Sequence, residues 1–101
     1  MAMTIGVARV ALYLDESFSL KDKRRVVRSL VQRVRNQFNV AIAEVGDLDD
    51  VRAATLAIVC VSNSAPHADE MLATVVRFVE SRVEEGVVGE IATELIPYGD
   101  G

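Results

Sequence analysis

Seven of the 11 Lys and Arg residues of this 101-residue chain fall between Lys21 and Arg35, yet the chain as a whole is acidic, with 15 Asp and Glu and a net charge of −4. In "SLKDKRRVVRSLVQRVRNQFNV" (19–40), Lys21, Arg24, Arg28 and Arg35 recur at i, i+3, i+7 and i+14. At helical pitch this spacing places them on one stripe about 21 Å long. Arg25 and Arg33 fall on the other polar flank. Spaced guanidiniums of this kind suit a run of phosphates, because each planar fork can take two phosphate oxygens. Lys21, Arg24, Arg25, Arg28 and Arg35 are therefore candidate nucleic-acid contacts. The competing reading is a solvated helix face that is simply rich in arginine. Lys23 points toward the apolar side and reads as a first-turn lysine whose stem snorkels to solvent.

The charge is unevenly divided. Residues 1–43 carry a net +5 and residues 44–101 a net −9. Such asymmetry favours a polyanionic partner at one face. The remaining reactive groups offer little. His67, the only histidine, sits beside Asp69 and Glu70 and reads as a solvated side chain in the first turn of a helix. Cys60, the only cysteine, lies in an apolar strand and reads as buried and inert, and one cysteine excludes an intramolecular disulfide or a cysteine zinc site. Glu44, Asp47, Asp49 and Asp50 crowd one turn but miss the spacing of a calcium loop. The sequence contains no phosphate-binding P-loop and no Gly-rich dinucleotide fingerprint. The expectation is a protein that is not an enzyme and uses no cofactor or metal.

The elements that position these residues follow from periodicity. "TIGVARVALYL" (4–14) reads as a strand and "DESF" (15–18) as a polar turn. Ser19 caps a helix running to about Phe38, with Asp22 at its third position. Leu20, Val26, Val27, Leu30, Val31, Val34 and Phe38 fall within an arc of about 140°, which is the core face. "NVAIAEV" (39–45) is a second strand, whose Ala41, Ala43, Val45 row is small enough to admit helices. "GDLDD" (46–50) is a solvated turn and "ATLAIVCVS" (54–62) a central strand. Ser62 or Ser64 caps a second helix with Pro66 in its first turn, and Gly86 supplies its left-handed stop. "VVGEIATELI" (87–96) is the last strand, closed by Pro97, with "YGDG" as a tail. The order β-α-β-β-α-β with right-handed crossovers gives one domain over residues 1–101. Its fold class is α+β: a ferredoxin-like plait with a four-stranded antiparallel sheet and two helices on one face.

Ser19–Arg25, Phe38–Val40 and Ala43–Val45, together with "FVES" (78–81), resemble the YlxP-like family of small bacterial proteins, a domain of unknown function. The likeness covers nearly the whole chain. It departs in the second turn, where the family often has a His-Gln-Asp-like segment and this chain has "GDLDD". The resemblance implies the same ferredoxin-like fold. It also implies a link to translation, because genes of the family often lie beside those of ribosome-assembly and initiation factors. It implies no established reaction.

In this topology the first strand is central, and one sheet face is left open. Its outward row is Ile5, Val7, Arg9, Ala11 and Tyr13, with Val40 and Ile42 expected beside it. The row lacks the paired aromatics on which an RNA-recognition sheet stacks bases. An open aliphatic sheet face is more often a dimer surface, so Ile5, Val7, Ala11, Tyr13, Val40 and Ile42 are the expected homodimer contacts. A loop or the tail covering this face is the alternative. The sequence carries no leader pattern before its first strand and no apolar run long enough for a membrane. Together these features point to a small cytoplasmic protein that binds RNA or the ribosome through its arginine-rich helix, with no membrane partner. The other reading is a homo-oligomeric module for protein interaction or small-ligand regulation.

Overall fold

A computed structural model describes residues 2–15, 19–83 and 86–99. Its elements are β1 (Met3–Tyr13), α1 (Leu20–Gln37), β2 (Ala41–Gly46), β3 (Ala53–Ser62), α2 (Ala65–Arg82) and β4 (Val87–Tyr98). The strands form one sheet in the order β2-β3-β1-β4, and every neighbouring pair is antiparallel. Both helices pack on one face, which is the α+β ferredoxin-like arrangement that the pattern implies. Parts of three expected features, at 16–18, 84–85 and 100–101, lie outside the described residues.

The core forms where the sheet's alternating side chains meet the apolar helix stripes. Ala8, Val10 and Leu12 of β1 and Leu56 and Ile58 of β3 are buried against Val27, Leu30 and Val34 of α1 and Leu72, Val75 and Val79 of α2. The α1 arc is therefore oriented as its periodicity implies. Phe38 and Phe78 meet edge to face with ring centroids 5.2 Å apart, joining the end of α1 to α2.

Several expectations need correction. Ile42 is 2 % exposed and belongs to the core, because its pairing with Ile58 turns it to the helix side. Val40 precedes β2 and packs partly buried against the same core. Ala41, Ala43 and Val45 are the outward row of β2, so they cannot be the row that receives the helices. Ser64, not Ser62, caps α2, accepting a hydrogen bond from the His67 backbone N–H at 3.3 Å. The helix ends at Arg82 with Val83 as its C-cap, and Gly99 is the glycine with positive φ. Gly86 serves close approach instead, since a Cβ there would collide with the Tyr13 carbonyl oxygen. Pro97 does not end the last strand: it pairs with Thr4, and Tyr98 pairs with Met3. A proline is tolerated there because β4 is an edge strand, whose outer N–H groups have no ladder partner to lose.

The largest departure is Lys23, which does not reach solvent. It is fully buried. Its Nζ donates to the backbone carbonyls of Asp47 (2.7 Å), Ala53 (3.1 Å) and Leu48 (3.2 Å). These three bonds match the three protons of an ammonium. Glu44 Oε2 lies 3.0 Å from the same nitrogen and accepts no directed hydrogen bond, so it balances the charge. The 46–50 turn is thus folded around a cation. Asp47 adopts the left-handed region at φ 59°, which Asp tolerates better than most residues. Its carbonyl also accepts from Asp50 N–H at 3.0 Å, and its carboxylate accepts from the Thr55 hydroxyl at 2.8 Å.

Removing one partner of a buried pair strands the other, whereas an exposed pair is worth little. Lys23→Met is expected to destabilise the domain by about 3–5 kcal/mol in urea unfolding, because Glu44 and three carbonyls lose their cation. Adding Glu44→Gln should recover part of that loss. A Lys23→Met cost below about 1 kcal/mol would contradict the buried clamp.

Candidate nucleic-acid interface

Helix α1 begins where its sequence says it should. Ser19 has extended backbone, and its Oγ accepts the Asp22 N–H at 3.1 Å. Asp22 adds a negative charge at the positive end of the helix dipole. The buried positions are Lys23, Val27, Leu30 and Val34. With about 100° per residue, that choice leaves Lys21, Arg24, Arg25 and Arg28 turned outward, and all four are exposed.

Lys21, Arg24, Arg25 and Arg28 line one shallow groove, together with Asp22. Among the described residues Lys21, Arg24 and Arg28 have no carboxylate within ion-pair distance, and the acid nearest Arg25 is Asp22 at 3.9 Å. The cations are not used up by the protein's own acids. Elsewhere on the helical layer the charge is mixed: α2 exposes Asp69, Glu70 and Glu80 with Arg77 and Arg82. Exposed positive charge is thus densest along the first half of α1, from Lys21 to Arg28.

Arg35, the last member of the expected stripe, also has a structural contact. Its Nη2 donates to the Ile42 carbonyl at 3.0 Å. That carbonyl belongs to edge strand β2, so the arginine blunts the edge and ties the end of α1 to the sheet. It also suits the negative end of the helix dipole. The outward cluster is accordingly shorter than the sequence spacing indicates. Arg33, on the opposite flank, is exposed.

The other candidate groups stay apart from this groove. Cys60 is buried, with Sγ 3.6 Å from the Ala68 carbonyl. Desolvation pushes its thiol pKa up, opposed by a bond to the Gly6 backbone, so the sulfur remains a neutral thiol. His67 is exposed in the first turn of α2. Glu44 and the 46–50 turn serve Lys23. Among the described residues no cluster of His, Cys, Asp or Glu suits a metal ion.

The open sheet face lies on the far side from α1. Ile5, Val7 and Ala11 are half-buried there, and Tyr13 is 46 % exposed. Tyr13 lies across Gly89 of β4, where any side chain would collide with its ring. The β3 register adds Val59 opposite Val7 and Val61 opposite Ile5, the latter 62 % exposed. These two valines were missed because facing on β3 follows from its register with β1, not from its nearly uniform apolar composition.

The chain is 35 % identical over 77 residues to uncharacterized protein YlxP of Bacillus subtilis (strain 168), covering 76 % of this chain and 84 % of that one. Among solved structures, a de novo designed protein, Foldit4, is similar with a TM-score of 0.48 and 9 % identity, covering 97 % of this chain and 99 % of that one. The C-terminal domain LarC2 of a cyclometallase, in its apo form, gives a TM-score of 0.49 and 11 % identity over 98 % of this chain and 58 % of that one. A dimeric ferredoxin-like protein of unknown function from Thermobifida fusca gives 0.44 and 11 %, covering 91 % and 90 %. Residues 5–90 match the model of the DUF503 family, described as a protein of unknown function, and with the likeness to YlxP this shows that the chain belongs to that family.

Proposed function

We propose that this chain is a cytoplasmic RNA- or ribosome-associated binding protein that contacts phosphates through the outward face of α1. The observation that carries this reading is the groove of Lys21, Arg24, Arg25 and Arg28, on which three of four cations lack an acidic partner among the described residues. On a protein of net charge −4 such a cluster opposes the overall field. A polyanion is drawn to it by local potential and held by release of its counterions. Arg35 is left out of the contact set because it stands about two turns beyond the groove and does not line it.

A second copy of the chain is the partner proposed for the open sheet face. Among the described residues neither loop nor tail covers this face, and Tyr98, expected as the first tail residue, is part of β4. Four strands about 4.8 Å apart and about eight residues long make a face of about 500 Å², charged residues included. The face also carries charge: Arg9 pairs across to Ala92, Glu94 stands opposite Val7 on the same face, and Glu90 lies beside Arg9. Pairing of two such faces about a two-fold axis would leave both α1 helices outward.

Two measurements test these readings. Affinity for single-stranded RNA is expected to fall with salt at a log–log slope of about −3, as for four phosphate contacts. Joint replacement Lys21→Glu, Arg24→Glu and Arg28→Glu should abolish binding while the unfolding midpoint is little changed. Full binding by that triple variant excludes the groove. In sedimentation equilibrium at about 100 µM, a concentration at which a micromolar dimer is mostly associated, the native chain should be dimeric and Val59→Asp monomeric. A monomeric native chain, or an equally dimeric Val59→Asp, rules out the sheet-face dimer.

A further inference from the structure

On the flank of α1 that faces α2, the two helices part and leave a cavity of about 300 Å³. Its floor is apolar: Leu12 and Leu14, from and just beyond the end of β1, and Leu30 of α1, all buried. Its rim is cationic. Arg25 and Arg33 come from α1, and Arg82 from the last turn of α2. The Ser29 hydroxyl lies between the two α1 arginines. No carboxylate is among the described lining residues. Arg82 is held in place by stacking on the Phe78 ring, with its guanidinium carbon 5.0 Å from the ring centroid.

This composition selects its occupant. An apolar floor takes a flat or compact apolar body, and guanidiniums at its rim suit a body with a π-face that is borne on an anionic chain. The size is at the small end of ligand pockets, which suits one compact group. Arg25 also lines the groove of Lys21, Arg24 and Arg28, so the phosphate track of α1 runs into the cavity at this residue. A body attached to a phosphate chain, with a polar edge for Ser29, is a nucleotide.

We infer that the cavity between α1 and α2 receives one unstacked base of a single-stranded RNA whose phosphates lie along Lys21, Arg24, Arg25 and Arg28. This rests on the phosphate-binding reading and adds to it a preference for single strands. In a duplex the bases are stacked and paired inside the helix and cannot enter without paying to leave it. Guanidinium planes at the rim can stack on a base of any identity, so the preference is for strandedness more than for sequence.

The test compares one single-stranded RNA 12-mer with the duplex formed from it and its complement, at one salt concentration. The proteins are the native chain, Ser29→Leu and Arg33→Ala. Ser29→Leu fills the cavity without changing charge, at an exposed helical position that accepts leucine readily. The native chain should bind the single strand more tightly than the duplex. Ser29→Leu should lower single-strand affinity about tenfold, the scale of one lost base contact, and leave duplex affinity within about twofold. Arg33→Ala should act in the same direction. Equal affinity of the native chain for both forms, with Ser29→Leu unchanged, overturns the base pocket and leaves the phosphate groove standing. Equal loss of both forms in Ser29→Leu also overturns it. Binding of neither form by the native chain overturns both.

Discussion

An ammonium with no access to water fixes the geometry of this protein. Lys23 cannot lie at 0 % exposure without three acceptors and a counter-charge. Two acceptors come from the connection between β2 and β3 and the third from Ala53 at the start of β3, and the counter-charge comes from β2 itself. The helix and the turn therefore specify each other. The turn closes because a cation sits in its centre, and α1 is held in one rotation because that cation belongs to its first turn. Apolar packing alone would tolerate some rolling of the helix. A charge that must meet three carbonyls tolerates much less.

The surface chemistry follows from that rotation. With Lys23 directed inward, its neighbours at 21, 24, 25 and 28 are directed away from the sheet. The sequence "KDKRR" thus divides into one structural lysine and a set of outward cations. At the other end of α1, Arg35 is spent on the Ile42 carbonyl. The helix is pinned at both ends by basic side chains bonded to backbone oxygens. The exposed positive charge is densest in the first half and extends, through Arg25 and Arg33, to the cavity beside α2. The open sheet face is a separate surface on the opposite side, so the proposed pairing of two copies there and the proposed contact with a polyanion at α1 would not compete.

Local patterns in the sequence carried most of the fold. The element order, the α1 arc, the Ser19 cap and the central place of β1 all follow from periodicity and from the handedness of crossovers. What could not be read depends on partners distant in the chain. Nothing near Lys23 announces that Asp47, Leu48 and Ala53 will turn their carbonyls toward it, and a lysine among arginines reads by default as solvated. The facing of Ile42 depends on pairing with Ile58, and a shift of one residue would have reversed it. Pro97 looks like a stop until β4 is known to be an edge. The stripe of four cations was legible as a stripe, but the loss of Arg35 to the sheet was not, because helical spacing says nothing about what lies beside a helix.

The most direct test of the account is where RNA touches the protein. At 101 residues the chain suits amide chemical-shift mapping by nuclear magnetic resonance during titration with a single-stranded RNA. The account predicts that the largest shifts fall on the first half of α1, from Lys21 to Arg28, and fade toward the outward residues of β1 and β3. Shifts centred on the sheet face, or none at saturating RNA, would contradict it.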